Sequence, residues 1–292
     1  MMKEWIEALR LRTLPVSISG VLGGTACALF KHSFKLLPFL ICLAFAILAQ
    51  IASNFANEYY DFKNNIDKKG REGYRRGVAE GDIKPQAMKK ATYITLVLAG
   101  CVGCFLILWG GWWLILIGII IAVFALAYST GPFPLSHNGL GEITVIIFFG
   151  FIPVFFTDYV QTGLLNFHYQ TSFIGGAIGL MASNVLIVNN YRDEEDDRKV
   201  GKRTSVVILG KKIMSWVYFG NGSIASILFA MASSPLPFWV SSGWLVLFSF
   251  HCMIWRELLS KTGAKLNGVL KNTSLLLLFV SIYLIIIFAT QS

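Results

Sequence analysis

The sequence predicts an all-α protein that crosses a membrane several times, and its composition is the first indication of this class. Hydrophobic residues make up 55% of the 292 residues and charged residues only 14%, against about 25% in a typical soluble domain. The mean hydropathy is +0.63. The five cysteines all lie inside apolar runs, which argues against a secreted disulfide scaffold. The high apolar content likewise excludes a disordered chain.

Nine apolar segments approach the length of a membrane helix, which needs roughly 20 mostly apolar residues. They cover residues 13–30, 36–57, 91–109, 112–129, 142–160, 172–190, 212–232, 236–255 and 272–290. Helices are expected because backbone polar groups cannot remain unpaired in hydrocarbon. Residues 3–11 are expected to form a short amphipathic helix on the surface. The sequence therefore predicts one transmembrane domain of nine helices over residues 1–292.

The distribution of basic residues predicts the orientation of these spans. With nine spans and the N-terminus inside, all of the 25 Lys and Arg residues except Lys31 and Lys35 fall on one side. The positive-inside rule then places the N-terminus and the long polar loops 61–90 and 191–211 in the cytoplasm, and the C-terminus on the opposite side. The same rule accounts for the net charge of +9, so no nucleic-acid partner is expected.

The acidic residues are concentrated where the second and sixth spans reach the cytoplasm. Eleven of the 16 lie within residues 58–82 and 193–197. Helical spacing of three, four and seven residues puts two groups of polar side chains on matching helix faces. The first group is Asn54, Asn57 and Asp61, followed by Asp67, and the second is Asn190, Asp193 and Asp197. Solvated loops of mixed charge are the alternative interpretation, but the mirrored arrangement favours two halves of one site.

These two groups of polar side chains predict a magnesium-dependent phosphate site. Carboxylates at a helix C-terminus repel one another and the negative pole of the helix dipole unless a cation offsets them. Oxygen ligands suit Mg²⁺, which typically bridges one or two carboxylates to substrate phosphates. The candidate ligands are Asn57, Asp61, Asp67, Asp193 and Asp197. The candidate substrate-binding residues are Asn54, Lys63, Arg75, Asn190, Arg192, Arg198 and Lys202.

At these residues the chain resembles the UbiA superfamily of intramembrane prenyltransferases, which carry an N-D-x-x-D-type motif and a D-x-x-x-D motif. The two motifs here are Asn57-Glu58-x-x-Asp61 and Asp193-x-x-x-Asp197. Within the superfamily, the chain is most similar to the 1,4-dihydroxy-2-naphthoate polyprenyltransferases of menaquinone synthesis. Four stretches carry that similarity: Arg12-Thr-Leu-Pro15, Asn54-x-x-Asn57-x-Tyr59-x-Asp61 followed by Asp67, Tyr128-x-x-Gly131-Pro132 through Glu142, and Asn189 through Thr204. Glu58 departs from the pattern, because the family usually has Asp there.

The resemblance implies a nine-helix bundle that transfers a polyprenyl group from polyprenyl diphosphate to an aromatic acceptor such as dihydroxynaphthoate, with Mg²⁺ as cofactor. It implies catalytic roles for Asp61, Asp193 and Asp197, with Tyr128 as a wall residue near the reacting carbon. The resemblance also implies that the protein lies in a bacterial inner (plasma) membrane, where it is surrounded by membrane lipid.

Two alternatives remain open from the sequence. One is a prenyltransferase for another acceptor, such as 4-hydroxybenzoate. The other is a cation-coupled transporter, although transporters place their ion sites near the bilayer midplane rather than at helix ends. Among the smaller features, His137 is expected to be an exposed loop histidine, and Glu142 is expected to be structural rather than catalytic.

Overall fold

The computed structural model describes residues 2–67, 69–70, 73–165, 168–238 and 242–290, and within these ranges the regular secondary structure is helical. The helices are α1 (Met2–Ala8), α2 (Leu14–Phe30), α3 (Leu36–Lys63), α4 (Pro85–Cys104), α5 (Leu114–Ala127), α6 (Gly141–Thr162), α7 (Tyr169–Lys199), α8 (Ser205–Ala232), α9 (Gly243–Ser260) and α10 (Leu266–Ala289). One isolated backbone bridge joins Asn138 to Arg203. The all-α class predicted from the sequence is therefore confirmed for the described residues.

Five of the described helices are long and apolar enough to cross a membrane. They are α3, α6, α7, α8 and α10, the last together with the turn that precedes it. Helices α2 and α5 are apolar but shorter. Helices α4 and α9 are not among the five. Both contain charged residues, Lys89 and Lys90 in α4 and Arg256 and Glu257 in α9. Each predicted span coincides with a helix, but the count of nine membrane spans is not confirmed.

Several predicted spans differ from the observed helices at their ends, and proline explains two of these differences. Helix α4 begins at Pro85 rather than near residue 91, because proline is favoured at the first helical position and the preceding residue is extended. Helix α9, which overlaps the eighth predicted span, begins at Gly243 rather than at residue 236. Pro235 and Pro237 follow the end of α8 at Ala232, and proline is incompatible with a helix interior.

Helix α7 is the central element of the bundle, and 78% of its most apolar stretch is buried. Glycines allow its close contact with α6. A Cβ atom on Gly150 would lie 2.4 Å from the Gly175 carbonyl oxygen, and one on Gly179 would lie 2.7 Å from the Ile146 carbonyl oxygen. Small residues commonly permit such close approach in membrane bundles. This packing fixes the position of α7, which carries the second acidic motif.

Helix α6 changes its winding where it meets α7. Residues Ile146–Phe151 form a π-helical turn between two α-helical parts. Pro153 follows this turn and lacks the N–H that would continue the regular hydrogen-bond ladder. Single π-helical turns of this kind are often found near functional sites. Phe149, within the turn, lines the cavity described below.

Candidate active site

The end of α3 presents the first motif. Asn57 Nδ2 donates a hydrogen bond to Asp61 Oδ2 at 3.1 Å, one helical turn away. Asn57 also accepts from Arg10 Nη2 at 2.5 Å and donates to Ser129 Oγ at 3.0 Å. Asp61 is completely buried. The first carboxylate of the site is therefore held at a fixed position by α3 itself, the segment after α1 and the loop after α5.

His137 belongs to this arrangement, and the expectation that it would be an exposed loop histidine is wrong. Its Nε2 lies 3.0 Å from Asp61 Oδ1, and its side chain is only 13% exposed. The loop that carries it is folded back, because Ser136 donates both its N–H and its hydroxyl to the Tyr128 carbonyl. The backbone N–H of Arg203 donates to the His137 carbonyl at 3.1 Å. The loop thus joins the two motifs.

Lys202 lies between the two acidic motifs. Its Nζ is 3.5 Å from Asp61 Oδ2 and 4.0 Å from Asp197 Oδ1. Asp197 is buried on the last turns of α7, and Lys202 follows the end of that helix. One ammonium group therefore lies near one carboxylate from each motif and bridges the end of α3 to the end of α7.

Asp193 is held within α7 by its neighbour Arg192. The guanidinium binds it through two hydrogen bonds, from Nε at 2.6 Å and from Nη2 at 2.8 Å. The same guanidinium donates to Asn267 Oδ1 at 2.8 Å and to Asn189 Oδ1 at 2.9 Å. All five N–H groups of an arginine lie in one plane, so this pattern fixes the orientation of Asp193.

Two more acidic residues, Glu58 and Asp67, hold the polar loop that follows α3 in place. Asp67 Oδ2 lies 3.2 Å from Arg76 Nε, and both side chains are buried. Glu58 Oε1 accepts a hydrogen bond from the Val78 N–H at 3.1 Å. Glu58 therefore supports the loop, although it belongs to the first motif in sequence. This contact gives a structural reason for a longer side chain at position 58.

A cavity of about 410 Å³ lies between these groups. Six of the residues predicted from the sequence line it, namely Asn54, Asn57, Arg75, Tyr128, Asn190 and Lys202. A second, mainly apolar groove of about 350 Å³ runs between α3, α4, α5 and α6. The two share Gln50, Ser53, Tyr128, Thr144 and Phe149 in their walls. A polar chamber therefore adjoins an apolar channel, with Tyr128 where they meet.

Two of the predicted substrate-binding residues lie elsewhere. Lys63 is exposed at the end of α3. Arg198 is also exposed and is paired with Glu194, one turn earlier on α7. Both follow a buried carboxylate closely in sequence, but helical periodicity turns them to the opposite face. Arg75 is half-exposed and bonded to Asp82 at 2.6 Å.

Several residues of the site were not predicted. Gln50 donates to Asn54 Oδ1 at 3.0 Å and accepts from Ser17 Oγ at 2.9 Å. It lies seven residues before Asn57 on the same helix face, and a polar residue inside an apolar span is a recognisable functional signal. Glu142, for which the sequence predicts a structural role, accepts from Asn190 Nδ2 at 3.2 Å and also from the Ser205 hydroxyl. These contacts join α6, α7 and α8, in agreement with that prediction.

The charged lining of the cavity is mainly cationic, namely Arg10, Arg12, Arg75, Arg76 and Lys202. The buried carboxylates Asp61, Asp67, Asp193 and Asp197 are outside this lining, and each lies beside a cation. Within the described residues, no three His, Cys, Asp or Glu side chains converge as a ready-made metal site. The oxygen donors present would suit a hard cation whose remaining ligands come from phosphates and water. In the loop, burial raises the pKa of the Tyr74 hydroxyl, although the guanidinium groups of Arg12 and Arg192 oppose that shift.

Comparison with known proteins agrees with this architecture. The model of the UbiA prenyltransferase family matches residues 17–276. The 1,4-dihydroxy-2-naphthoate octaprenyltransferase of Haemophilus influenzae is 33% identical over 249 residues, covering 80% of this chain and 79% of the relative. The enzyme of that name from Escherichia coli is 38% identical over 215 residues, covering 72% and 69%.

Solved structures show the same fold. The apo structure of a UbiA homolog from Aeropyrum pernix has a TM-score of 0.71 at 14% identity and covers 94% of this chain and 97% of that one. A UbiA homolog from Archaeoglobus fulgidus, solved with GPP and Mg²⁺, has a TM-score of 0.68 at 15% identity and covers 98% and 99%. The chain belongs to the UbiA prenyltransferase family and is an enzyme that transfers prenyl groups.

Proposed function

We propose that this enzyme transfers a polyprenyl group from polyprenyl diphosphate to 1,4-dihydroxy-2-naphthoate, with Mg²⁺ as cofactor. The names of the Haemophilus influenzae and Escherichia coli relatives support this acceptor. The Archaeoglobus fulgidus homolog, solved with DMAPP or GPP and Mg²⁺, supports the donor and the cofactor. We place the enzyme in a bacterial plasma membrane, with its N-terminus and both acidic motifs in the cytoplasm.

The observation that carries the proposal is the position of Lys202 between Asp61 and Asp197, beside a cavity that adjoins an apolar groove. A polyprenyl diphosphate has a polyanionic head and a long apolar tail. The chamber offers charged partners for the head, and the groove between α3 and α6 offers an apolar surface for the tail. In this proposal the bond between head and tail lies near Tyr128, in the wall that the chamber and the groove share.

The residues present fit magnesium ions, because they supply hard oxygen atoms. Asn57 and Asp61, with Asp67 as an outer ligand, would hold one ion, and Asp193 and Asp197 would hold a second. The ion pairs to Lys202, Arg76 and Arg192 show that the buried carboxylates require positive charge beside them. When bound, Mg²⁺ supplies charge neutralisation for the leaving diphosphate.

The remaining steps belong to the protein side chains. Lys202 binds the diphosphate as the bond between its oxygen and the first prenyl carbon breaks, with Asn54, Asn190, Arg75 and Arg192 supporting the head group. The allylic fragment is cationic in character, and the face of the Tyr128 ring stabilises it. A ring carbon of the acceptor then forms the new bond to the first prenyl carbon, and the acceptor carboxylate leaves as CO₂, so the ring remains aromatic. Lys63 and Arg198 are left out because both are exposed.

The direct test is product analysis with the purified full-length enzyme in lipid nanodiscs. Octaprenyl diphosphate is offered with dihydroxynaphthoate or 4-hydroxybenzoate under anaerobic conditions, with MgCl₂ or with EDTA. We expect a prenylated naphthoquinol by mass spectrometry only with Mg²⁺, and its loss in Asp193→Asn. Product from 4-hydroxybenzoate alone would overturn the acceptor assignment, and undiminished product in EDTA would overturn the cofactor assignment.

A further inference from the structure

The apolar groove ends where the chain passes from α4 to α5. These helices are consecutive, and residues 105–113 connect them. Leu106 and Ile107, which belong to this connection, line the groove. Phe156 and Val160, near the end of α6, line it as well. These four residues form the floor of the groove, at the end far from Tyr128.

Hydrogen bonds and ring contacts attach the floor to α6. The Tyr159 hydroxyl donates to the Gly110 carbonyl at 2.9 Å and accepts from Trp113 Nε1 at 3.2 Å. The centroid of the Trp113 ring lies 5.3 Å from that of Tyr159 and 5.4 Å from that of Phe156. A Cβ atom on Gly110 would lie only 3.0 Å from the Tyr159 ring. The connection between α4 and α5 is therefore held across the end of the groove.

Aromatic side chains close two sides of the groove. Between α5 and α6, Phe124 stacks on Phe148 with the ring centroids 4.6 Å apart. Between α3 and α4, Gly103 approaches Phe45 so closely that a Cβ atom would lie 3.0 Å from the ring. All four residues line the groove. These contacts join α5 to α6 and α3 to α4 along the groove.

The side between α4 and α5 is open. Gly100 on α4 and Gly118 on α5 both line the groove, and a Cβ atom on either would be in open space. Ile115 and Ile119, on α5, also line the groove, yet they are 40% and 54% exposed. Exposed apolar side chains on a membrane helix face acyl chains, which are as apolar as the side chains themselves. The groove therefore opens to lipid along its side, whereas its far end is closed.

The depth of the groove can be compared with the length of a prenyl tail. Helix α5 runs along the groove from Leu114, near the floor, to Ala127, just before Tyr128 in the shared wall. Its 14 residues span about 21 Å at a rise of roughly 1.5 Å per residue. One isoprene unit adds four carbon atoms to the chain and extends it by roughly 5 Å. A straight tail that starts at Tyr128 therefore reaches the floor after about four units.

We propose that the groove encloses about the first four isoprene units of the donor, that its floor stops a straight tail there, and that any further units leave sideways between α4 and α5 into lipid. This inference rests on the proposed function, because it takes the donor to be a polyprenyl diphosphate. A tail in the groove exchanges lipid contacts for protein contacts, so hydrophobicity alone favours no particular length. Packing against the walls distinguishes the enclosed units from those beyond them. The side chains of the groove should therefore affect only the enclosed part of the tail.

The first test locates the end of the tail in the wild-type enzyme in lipid nanodiscs, with MgCl₂ and without an acceptor. The probes are a four-unit and an eight-unit prenyl diphosphate, each with a photoreactive diazirine on its last unit. Peptide mass spectrometry identifies the labelled residues, and lipid extraction recovers labelled lipid. We expect the four-unit probe to label the floor, at Leu106, Ile107 or Phe156. The eight-unit probe should label lipid and the exposed faces of α4 and α5.

Unlabelled prenyl diphosphate in excess should suppress the labelling of the protein by both probes. Labelling of the floor by the eight-unit probe would overturn the inference, because a longer tail would then fold up inside the groove. Absence of the four-unit label from the floor would also overturn it. Since no variant is involved, this result does not depend on the stability of a mutant.

The second test obstructs the groove with Gly118→Leu. Gly118 lies ten residues before Tyr128, or about 15 Å along α5, so a two-unit tail ends short of it and a four-unit tail passes it. We expect Gly118→Leu to lower kcat/KM about tenfold for four-unit and eight-unit donors, and to change it less than about twofold for the two-unit donor. Comparison with the wild type for the same donor cancels differences in how the donors partition into the nanodisc.

Gly220→Leu is the matched control, because Gly220 on α8 also faces open space and lies outside the lining of the groove. It should change kcat/KM less than about twofold for every donor. Equal losses for the two-unit and four-unit donors in Gly118→Leu, or no loss for either, would overturn the inference. Failure of the proposed function is distinguishable. The expected labelling without any prenylated naphthoquinol would refute the acceptor alone, whereas product without floor labelling would refute this inference alone.

Discussion

Replacement of Lys202 by methionine tests how the two acidic motifs are held together. The ammonium is 3.5 Å from Asp61 and 4.0 Å from Asp197, and its side chain is only 11% exposed. At an effective dielectric constant of about 20, charges at such distances interact by roughly 4–5 kcal/mol each. The net effect is smaller because the ions are desolvated, and removal of one partner from a buried ion pair costs about 3–5 kcal/mol. Lys202→Met should lower the apparent melting temperature by roughly 6 °C or more.

Magnesium should reverse part of that loss. In Lys202→Met the two carboxylates lack their shared ammonium, so a divalent cation gains more binding energy there than in the wild type. Tryptophan fluorescence during thermal unfolding in nanodiscs, with millimolar MgCl₂ or KCl of equal ionic strength, measures the difference. Lys211→Met is the matched control, because Lys211 pairs at 3.8 Å with Glu194, at the cavity's exterior. An equal Mg²⁺ effect on all three proteins would refute the reasoning.

Three other changes address separate parts of the site and the fold. Asp61→Asn keeps the shape of the side chain but removes its charge, so product formation should be abolished while the protein stays folded. Its melting temperature should fall less than that of Lys202→Met, because Lys202 keeps Asp197 as a partner. Residual turnover above about 1% would contradict a direct role. His137→Leu removes a hydrogen bond to a carboxylate and should lower kcat about tenfold, whereas His137→Gln, which can still donate, should retain most of the activity. Equal kcat values for these two variants would show that the contact is dispensable. Gly179→Ala places a Cβ atom 2.7 Å from a backbone carbonyl oxygen and should destabilise the bundle by about 1–3 kcal/mol. Gly220 faces open space, so Gly220→Ala should leave the stability unchanged. Equal melting temperatures of the two variants would contradict this reasoning.

The sequence predicts the elements that lie on long helices more reliably than those that depend on loops. Asn54, Asn57 and Asp61 share one face of α3 because the helix continues past the apolar segment, and helical periodicity is readable from the residues alone. The contact of His137 with Asp61 depends on a backbone hydrogen bond from Arg203, 66 positions later in the chain. No local pattern encodes such a bond, so a loop histidine cannot be assigned to the site from its neighbours.

The exposed positions of Lys63 and Arg198 show a related limit. Both are basic residues within two positions of a buried carboxylate, and proximity along the chain alone predicts them as phosphate ligands. The same periodicity that aligns the carboxylates places these two side chains on the other face. Arg10 and Arg12, which do line the cavity, come from the segment before α2. Tertiary contacts therefore supply the cations, whereas the helices supply the acids.

The pairing of helix-borne acids with cations from other parts of the chain explains how buried acids can be stable before a ligand binds. A buried carboxylate without a partner is costly, yet Asp61 and Asp67 are both buried. Lys202 and Arg76 offset that cost, and both are also suited to phosphate. Arrival of a magnesium diphosphate would then exchange partners, carboxylate to metal and cation to phosphate, without creating an unpaired charge at any stage. An enzyme organised in this way needs each cationic side chain as much for the stability of the empty site as for binding. Removal of such a side chain should therefore lower the melting temperature as well as the turnover.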